Sequence, residues 1–108
     1  MKKTIAITAG EPAGIGYDIL VTAAHSQQRT TPWLVFADPD VLRQRAQGLN
    51  QPLQIELFSG FDRVTSAAGV LTVWPTPCAE EVIAGHLNVR NAAAVLDGLS
   101  TAARLCLE

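Results

Sequence analysis

The chain has 108 residues, 48% of them apolar, and a formal net charge of −2; a chain of this size buries roughly two-thirds of its unfolded surface, enough for one modest core. Beyond Lys2-Lys3 its basic residues are dispersed, which argues against a nucleic-acid surface or an anionic-membrane anchor. No apolar run approaches the about 18 residues needed to cross a bilayer, and Met1-Lys2-Lys3 leads straight into strand-like sequence with no signal-peptide core, so a cytoplasmic protein is expected.

Ile5 and Ile7 alternate with smaller residues and predict a short buried strand. Gly10, Pro12, Gly14 and Gly16 follow it and leave too little side chain for regular structure before Tyr17. A helix starting near Gly16 points its unbonded N–H groups and positive dipole end back into this loop, where glycines let a polar or anionic ligand approach the backbone. The spacing is Gly-x-x-x-Gly-x-Gly, neither the Gly-x-Gly-x-x-Gly of dinucleotide-binding Rossmann folds nor a P-loop with its Lys-Ser/Thr. Two readings therefore stand: a binding loop, or a tight connection whose glycines serve packing alone.

The first helix is expected to run to about Ser26, with Ile19, Leu20, Ala23 and Ala24 facing inward, and Gln27 to Pro32 ends it. Trp33 to Ala37 is a continuous apolar run between turn signals, as for a strand covered on both faces of a parallel sheet. Asp38 then reads as an N-cap rather than a catalytic carboxylate, Pro39 as a first helical residue, Val41, Leu42 and Ala46 as the buried face, and Gly48 as the stop. Leu53 to Leu57 alternates strictly and predicts a strand with one wet face near the sheet edge. A long connection from Ser59 to Gly69 precedes a fourth strand, Val70 to Trp74, which Pro75 and Pro77 terminate because neither donates to a ladder. In the last helix, capped at Asn88, Val89, Ala92, Leu96, Leu99, Ala103 and Leu107 recur at helical steps as one apolar stripe.

The chemistry-bearing side chains form no recognisable cluster. Cys78 and Cys106 lack a Cys-x-x-Cys spacing; Cys106 reads as a small apolar residue on a packed helix, and a cytoplasmic disulfide is not expected. His25 falls at a helix C-terminus, where an imidazolium suits the dipole. His86 has no second ligand at a metal spacing, Glu80 and Glu81 read as solvated, and Ser59, Ser66 and Ser100 lack a nucleophile elbow.

The string Thr8-Ala-Gly-Glu-Pro-Ala-Gly-Ile-Gly-Tyr-Asp18 resembles the N-terminal signature of the 4-hydroxythreonine-4-phosphate dehydrogenase family of vitamin B6 synthesis, Thr-x-Gly-Asp/Glu-Pro-Ala-Gly-Ile-Gly-Pro-Glu/Asp. Val35-Phe-Ala-Asp38 and Gly85-His-Leu-Asn-Val-Arg-Asn91 are similar to later segments of the same family. Tyr17 departs from the pattern, since the family usually has proline there. Family members are considerably longer, and the resemblance covers their N-terminal portion, ending inside a helix at Glu108.

The resemblance implies an α/β fold, the N-terminal part of an isocitrate/isopropylmalate-dehydrogenase-like architecture. It would have a parallel or mixed sheet with flanking helices and, over residues 1–108, form a single incomplete domain. It implies NAD and a divalent metal as cofactors, a phosphorylated hydroxy acid such as 4-phosphohydroxy-L-threonine as substrate, oxidation followed by decarboxylation, and a homodimer. The family's metal-binding histidines and phosphate-binding groups lie past the matched portion, so no catalytic or metal role passes to this chain. Only Glu11, Gly14, Ile15 and Gly16 are assigned, to the wall of the cofactor cleft. Three functional readings remain: a fragment of a dehydrogenase, inactive alone; a non-catalytic remnant or assembly module; and an independent flavodoxin-like nucleotide binder. An unpartnered strand edge and the stripe of the last helix further predict self-association or marginal stability.

Overall fold

A computed structural model of the chain describes residues 4–10, 14–26, 30–76, 78 and 91–107, with backbone only for residues 93, 94 and 107. Glu11, Glu80, Glu81, His86, Asn88 and Val89, singled out above, lie outside the described residues. Strands β1 (Ile5–Thr8), β2 (Trp33–Ala37), β3 (Gln54–Leu57) and β4 (Val70–Pro75) form one sheet in the order β1-β2-β4-β3. Each neighbouring pair is parallel, so of the parallel and mixed alternatives the described sheet is purely parallel. Helices α1 (Gly16–Ala24), α2 (Pro39–Gly48) and α3 (Ala92–Leu107) flank it, and a 3-10 turn spans Phe61–Arg63.

Alternation along β2 divides the core in two. Val35 and Ala37 pack with Tyr17, Leu20 and Val21 of α1 and Leu42 of α2, whereas Leu34 and Phe36 pack on the opposite face with Val64 and Ala102. A central parallel strand covered on both sides needs apolar residues at every position, and Leu34 to Ala37 are all buried. Strand β3 lies at the edge with an intermediate-to-exposed pattern, as its strict alternation predicts. Pro75 is the last residue of β4, paired with Ala37, and the ladder extends one bond further through the Thr76 N–H to the Ala37 carbonyl at 3.0 Å. Proline is accommodated here because the next residue supplies the donor.

Four expectations are corrected. Strand β1 is not buried: it lies at the edge of the described sheet with an exposed-to-intermediate pattern, and Ile5 is 47% exposed. Helix α1 ends at Ala24 rather than near Ser26, and its buried face is Tyr17, Leu20, Val21 and Ala24, while Ile19 is 58% exposed. The buried set follows the i, i+3, i+4, i+7 spacing from Tyr17, which rotates Ile19 out of the stripe. Gly48 is the last helical residue of α2 rather than its terminator; the left-handed turn comes at Asn50, with φ 55°. On α3 the expected stripe lies outward: Ala92 and Ala103 are exposed, Leu96 is 65% exposed and Leu99 52%. Small residues face the sheet instead, with Gly98, Thr101 and Ala102 buried. A Cβ on Gly98 would stand 3.1 Å from the Thr76 methyl group, so the helix sits as close as it does because that position has no side chain.

Candidate functional site

The carboxyl ends of β1, β2 and β4 carry the glycine loop, Asp38, and Thr76 with Cys78, respectively. In open α/β sheets this edge is where ligands bind, because the strand-to-helix turns meet there. Helix α1 begins with Ile15 at the cap position, whose side chain makes no capping hydrogen bond. Gly14, Ile15 and Gly16 lie at this helix start, and Ile15 is 72% exposed. Gly16 is required for close packing: a Cβ there would fall 2.3 Å from the Ala9 carbonyl oxygen. The loop turns back on the end of β1 so tightly that only a hydrogen fits.

Arg45 fixes this loop from α2. Its Nη1 donates to the Gly14 carbonyl at 3.0 Å and to Asp18 Oδ1 at 3.1 Å, and its side chain is only 12% exposed. Asp18, in the first turn of α1, would complement the dipole alone; paired with Arg45 its charge is offset, and the helix start keeps its positive character. The sequence reading missed Arg45, although its place beside Leu42 and Ala46 on the buried stripe of α2 was a visible signal of an inward-facing guanidinium.

Asp38 is the expected N-cap and more. Its Oδ1 accepts from the Asp40 N–H at 2.9 Å and the Val41 N–H at 3.4 Å; its Oδ2 accepts from the Cys78 N–H at 2.8 Å. Its own N–H donates to the Tyr17 hydroxyl at 2.9 Å. Burial pushes the Tyr17 phenol up from 10.0 to about 12, against the opposing effect of the Asp38 backbone bond. Between these groups and α3 lies a cleft of about 10 Å³, room for a single water, touched by Thr8, Tyr17, Phe36, Thr76, Cys78 and Gly98. A nucleotide does not fit inside it.

The remaining candidates do not converge on this edge. His25 caps α1 through its backbone, as a helix-end residue, with Nδ1 buried and without a hydrogen-bond partner among the described residues. Cys106 is exposed on α3, contrary to the expectation that it packs. Cys78 is half-buried beside the cleft. Among the described residues no three His, Cys, Asp or Glu side chains come together as a metal site, and no helix is long and apolar enough to cross a membrane.

No protein-family model matches the chain. It is 41% identical over 103 residues to a 4-hydroxythreonine-4-phosphate dehydrogenase of Saccharophagus degradans, covering 95% of this chain and 30% of that protein. With the Erwinia tasmaniensis protein of the same name the identity is 43% over 107 residues, covering 98% and 32%. Among solved structures, a 4-hydroxythreonine-4-phosphate dehydrogenase from Klebsiella pneumoniae superposes with a TM-score of 0.87 at 22% identity, over 99% of this chain and 34% of its own length. One from Burkholderia phymatum gives 0.86 at 18% identity. These structural matches establish a shared α/β architecture. The chain spans about a third of the length of the curated relatives it matches, and the resemblance first visible in the glycine loop holds along the whole chain: it corresponds to the N-terminal portion of the 4-hydroxythreonine-4-phosphate dehydrogenase family.

Proposed function

We propose that this chain is the N-terminal portion of a cytoplasmic NAD- and divalent-metal-dependent dehydrogenase with an isocitrate/isopropylmalate-dehydrogenase-like fold. Its substrate is 4-phosphohydroxy-L-threonine or a related phosphorylated hydroxy acid, oxidised and then decarboxylated by the complete, homo-oligomeric enzyme. The observation that carries this reading is the 41–43% identity to dehydrogenases of that name, sustained over 95% or more of the chain. Glu11, Gly14, Ile15 and Gly16 form the wall of the cofactor cleft in this proposal.

The described residues fit that part and no more. Bound NAD would supply the hydride acceptor. Toward it the chain offers the start of α1 at Ile15, which is exposed. Arg45 holds the Gly14 carbonyl and thereby the loop's position. The metal is different: no trio of ligating side chains is assembled among the described residues, so they do not fit a metal and no step is derived through one. Without groups that hold hydroxyl, phosphate and cofactor together, hydride transfer gains nothing from proximity, and the isolated chain is proposed to be inactive.

A chimera tests this. The chain replaces the matching segment of the Erwinia tasmaniensis relative, and NADH formation from 4-phosphohydroxy-L-threonine is followed with added divalent metal. The expected result is turnover by the chimera and none by the chain alone. A folded but inactive chimera, or turnover by the 108-residue chain free of other enzyme, would overturn the proposal. The alternative, a non-catalytic remnant or an assembly or nucleotide-binding module, draws on the outward leucines of α3; it predicts an inactive chimera with an intact fold.

A further inference from the structure

We propose that Tyr17 and Asp38 act as a clamp that locks the glycine-loop helix, the start of α2 and the segment leaving β4 into one register, making Tyr17 a positioning residue for the candidate cofactor cleft. The functional side of this inference rests on the reading of that edge given above. An N-cap needs one carboxylate oxygen, and Asp38 Oδ1 serves that purpose at Asp40 and Val41. Oδ2 is left over, and it reaches the Cys78 N–H, 40 residues along the chain. The Asp38 N–H, which precedes the helix and has no ladder partner in it, is taken by the Tyr17 hydroxyl across 21 residues.

One residue thereby joins the exits of three strands. Tyr17 is 2% exposed and Asp38 9%; the bond between them is buried and the one to the Cys78 N–H partly buried, so parting Tyr17 from Asp38 strands a buried polar group. The raised phenol stays protonated throughout the physiological range, so the Tyr17 hydroxyl remains a neutral partner there.

The test uses the whole chain with Cys106→Ser, leaving Cys78 as the remaining thiol, and reads its alkylation rate by iodoacetamide under native conditions beside the urea midpoint. Tyr17→Phe should accelerate alkylation about tenfold, the loss expected for a buried donor left unpaired. Asp38→Asn should do at least as much, and the double variant no more than Asp38→Asn alone, because the two residues act through one link. Val21→Ala, a core truncation on α1 that leaves the clamp intact, should lower the urea midpoint without this acceleration. An unchanged rate in Tyr17→Phe, multiplying effects in the double variant, or equal acceleration by Val21→Ala would each overturn the clamp. If the variants do not fold, amide exchange in the unaltered chain decides: Asp38 and Cys78 should open with one common protection factor, and separate factors overturn the proposal. Titration with NAD separates the two ideas, since coupled variants in a chain that does not bind NAD leave the clamp standing and remove the cofactor reading.

Discussion

Arg43 and Arg45 lie on the same helix with the same chemistry, and the structure gives them opposite weights. Arg43 Nη1 meets Asp40 Oδ1 at 2.9 Å, shorter than the 3.1 Å between Arg45 and Asp18. Distance alone would rank Arg43 first. Burial reverses the order: the Arg43–Asp40 side chains are 50% and 83% exposed, the Arg45–Asp18 pair 12% and 39%. An exposed i, i+3 pair is worth about 0–0.5 kcal/mol. Arg45→Met keeps the apolar stem and removes the guanidinium, leaving the Gly14 carbonyl and Asp18 without this donor. The loss of these two bonds alone, the one to Asp18 discounted for its solvent access, amounts to about 1.5–2.5 kcal/mol. With a urea slope of about 1–3 kcal/mol per M for a small domain, the midpoint should fall by roughly 1 M in Arg45→Met and hardly move in Arg43→Met. Amide exchange over the first turn of α1 should rise in Arg45→Met only, since the loop loses its anchor. Equal shifts in the two variants, or a larger one for Arg43→Met, would refute the claim that burial rather than separation decides.

Gly16→Ala puts a Cβ 2.3 Å from the Ala9 carbonyl oxygen, backbone that cannot step aside, and should cost about 2 kcal/mol or more in a urea melt; Gly48→Ala meets nothing within 4 Å at the end of α2 and should raise stability by up to about 1 kcal/mol. The phenol of Tyr17 is raised to about 12 from 10.0. Its contribution to stability is therefore fully present below pH 10 and lost as pH climbs toward 12, about 1.4 kcal/mol per unit. Because Tyr17 is the chain's one tyrosine, phenolate absorbance reports it alone, and ionisation near pH 10 with the fold intact would contradict the burial argument. Leu96 and Leu99, 65% and 52% exposed on α3, should drive self-association; light scattering is expected to show a smaller species in Leu96→Lys/Leu99→Lys, and an unchanged mass would remove that face from the contact.

Elements whose causes are local were legible in the sequence. In the apolar run Trp33 to Ala37 the residues Leu34 to Ala37 are buried on both faces, and Asp38-Pro39 starts α2 because a cap acts over three residues. The strict alternation of Leu53 to Leu57 likewise marked an edge. Errors came where two faces of a helix competed. On α1 the choice of Ile19 over Tyr17 rotated the buried face by about one residue, and what holds Tyr17 inward is a hydroxyl partner 21 residues away. On α3 the leucines formed the most visible stripe, yet the side that meets the sheet is the one with least side chain, because Gly98 and Ala102 permit an approach that Leu96 and Leu99 would prevent. Periodicity locates a stripe; it does not say whether close approach or apolar area decides which side turns inward.

The glycine loop was visible for the same local reason, but what positions it was not. Gly14 is held by Arg45 across 31 residues, Tyr17 by Asp38 across 21 and Cys78 by Asp38 across 40, and none of these pairs has a spacing that pattern reading detects. Apolar patterning thus decides that a parallel sheet forms with helices on both faces, while a handful of buried polar bonds decides where its carboxyl-edge loops sit. The two kinds of information need not vary together. Tyr17 illustrates this: a strand-loop-helix unit needs no hydroxyl at that position, yet the Tyr17 hydroxyl makes a bond that reaches the next strand's exit and, through Asp38, the one beyond it. Identity of about four-tenths over the matched segment therefore speaks for a shared sheet more directly than for a shared set of the loop, and it is the set of that loop that determines what can lie against it.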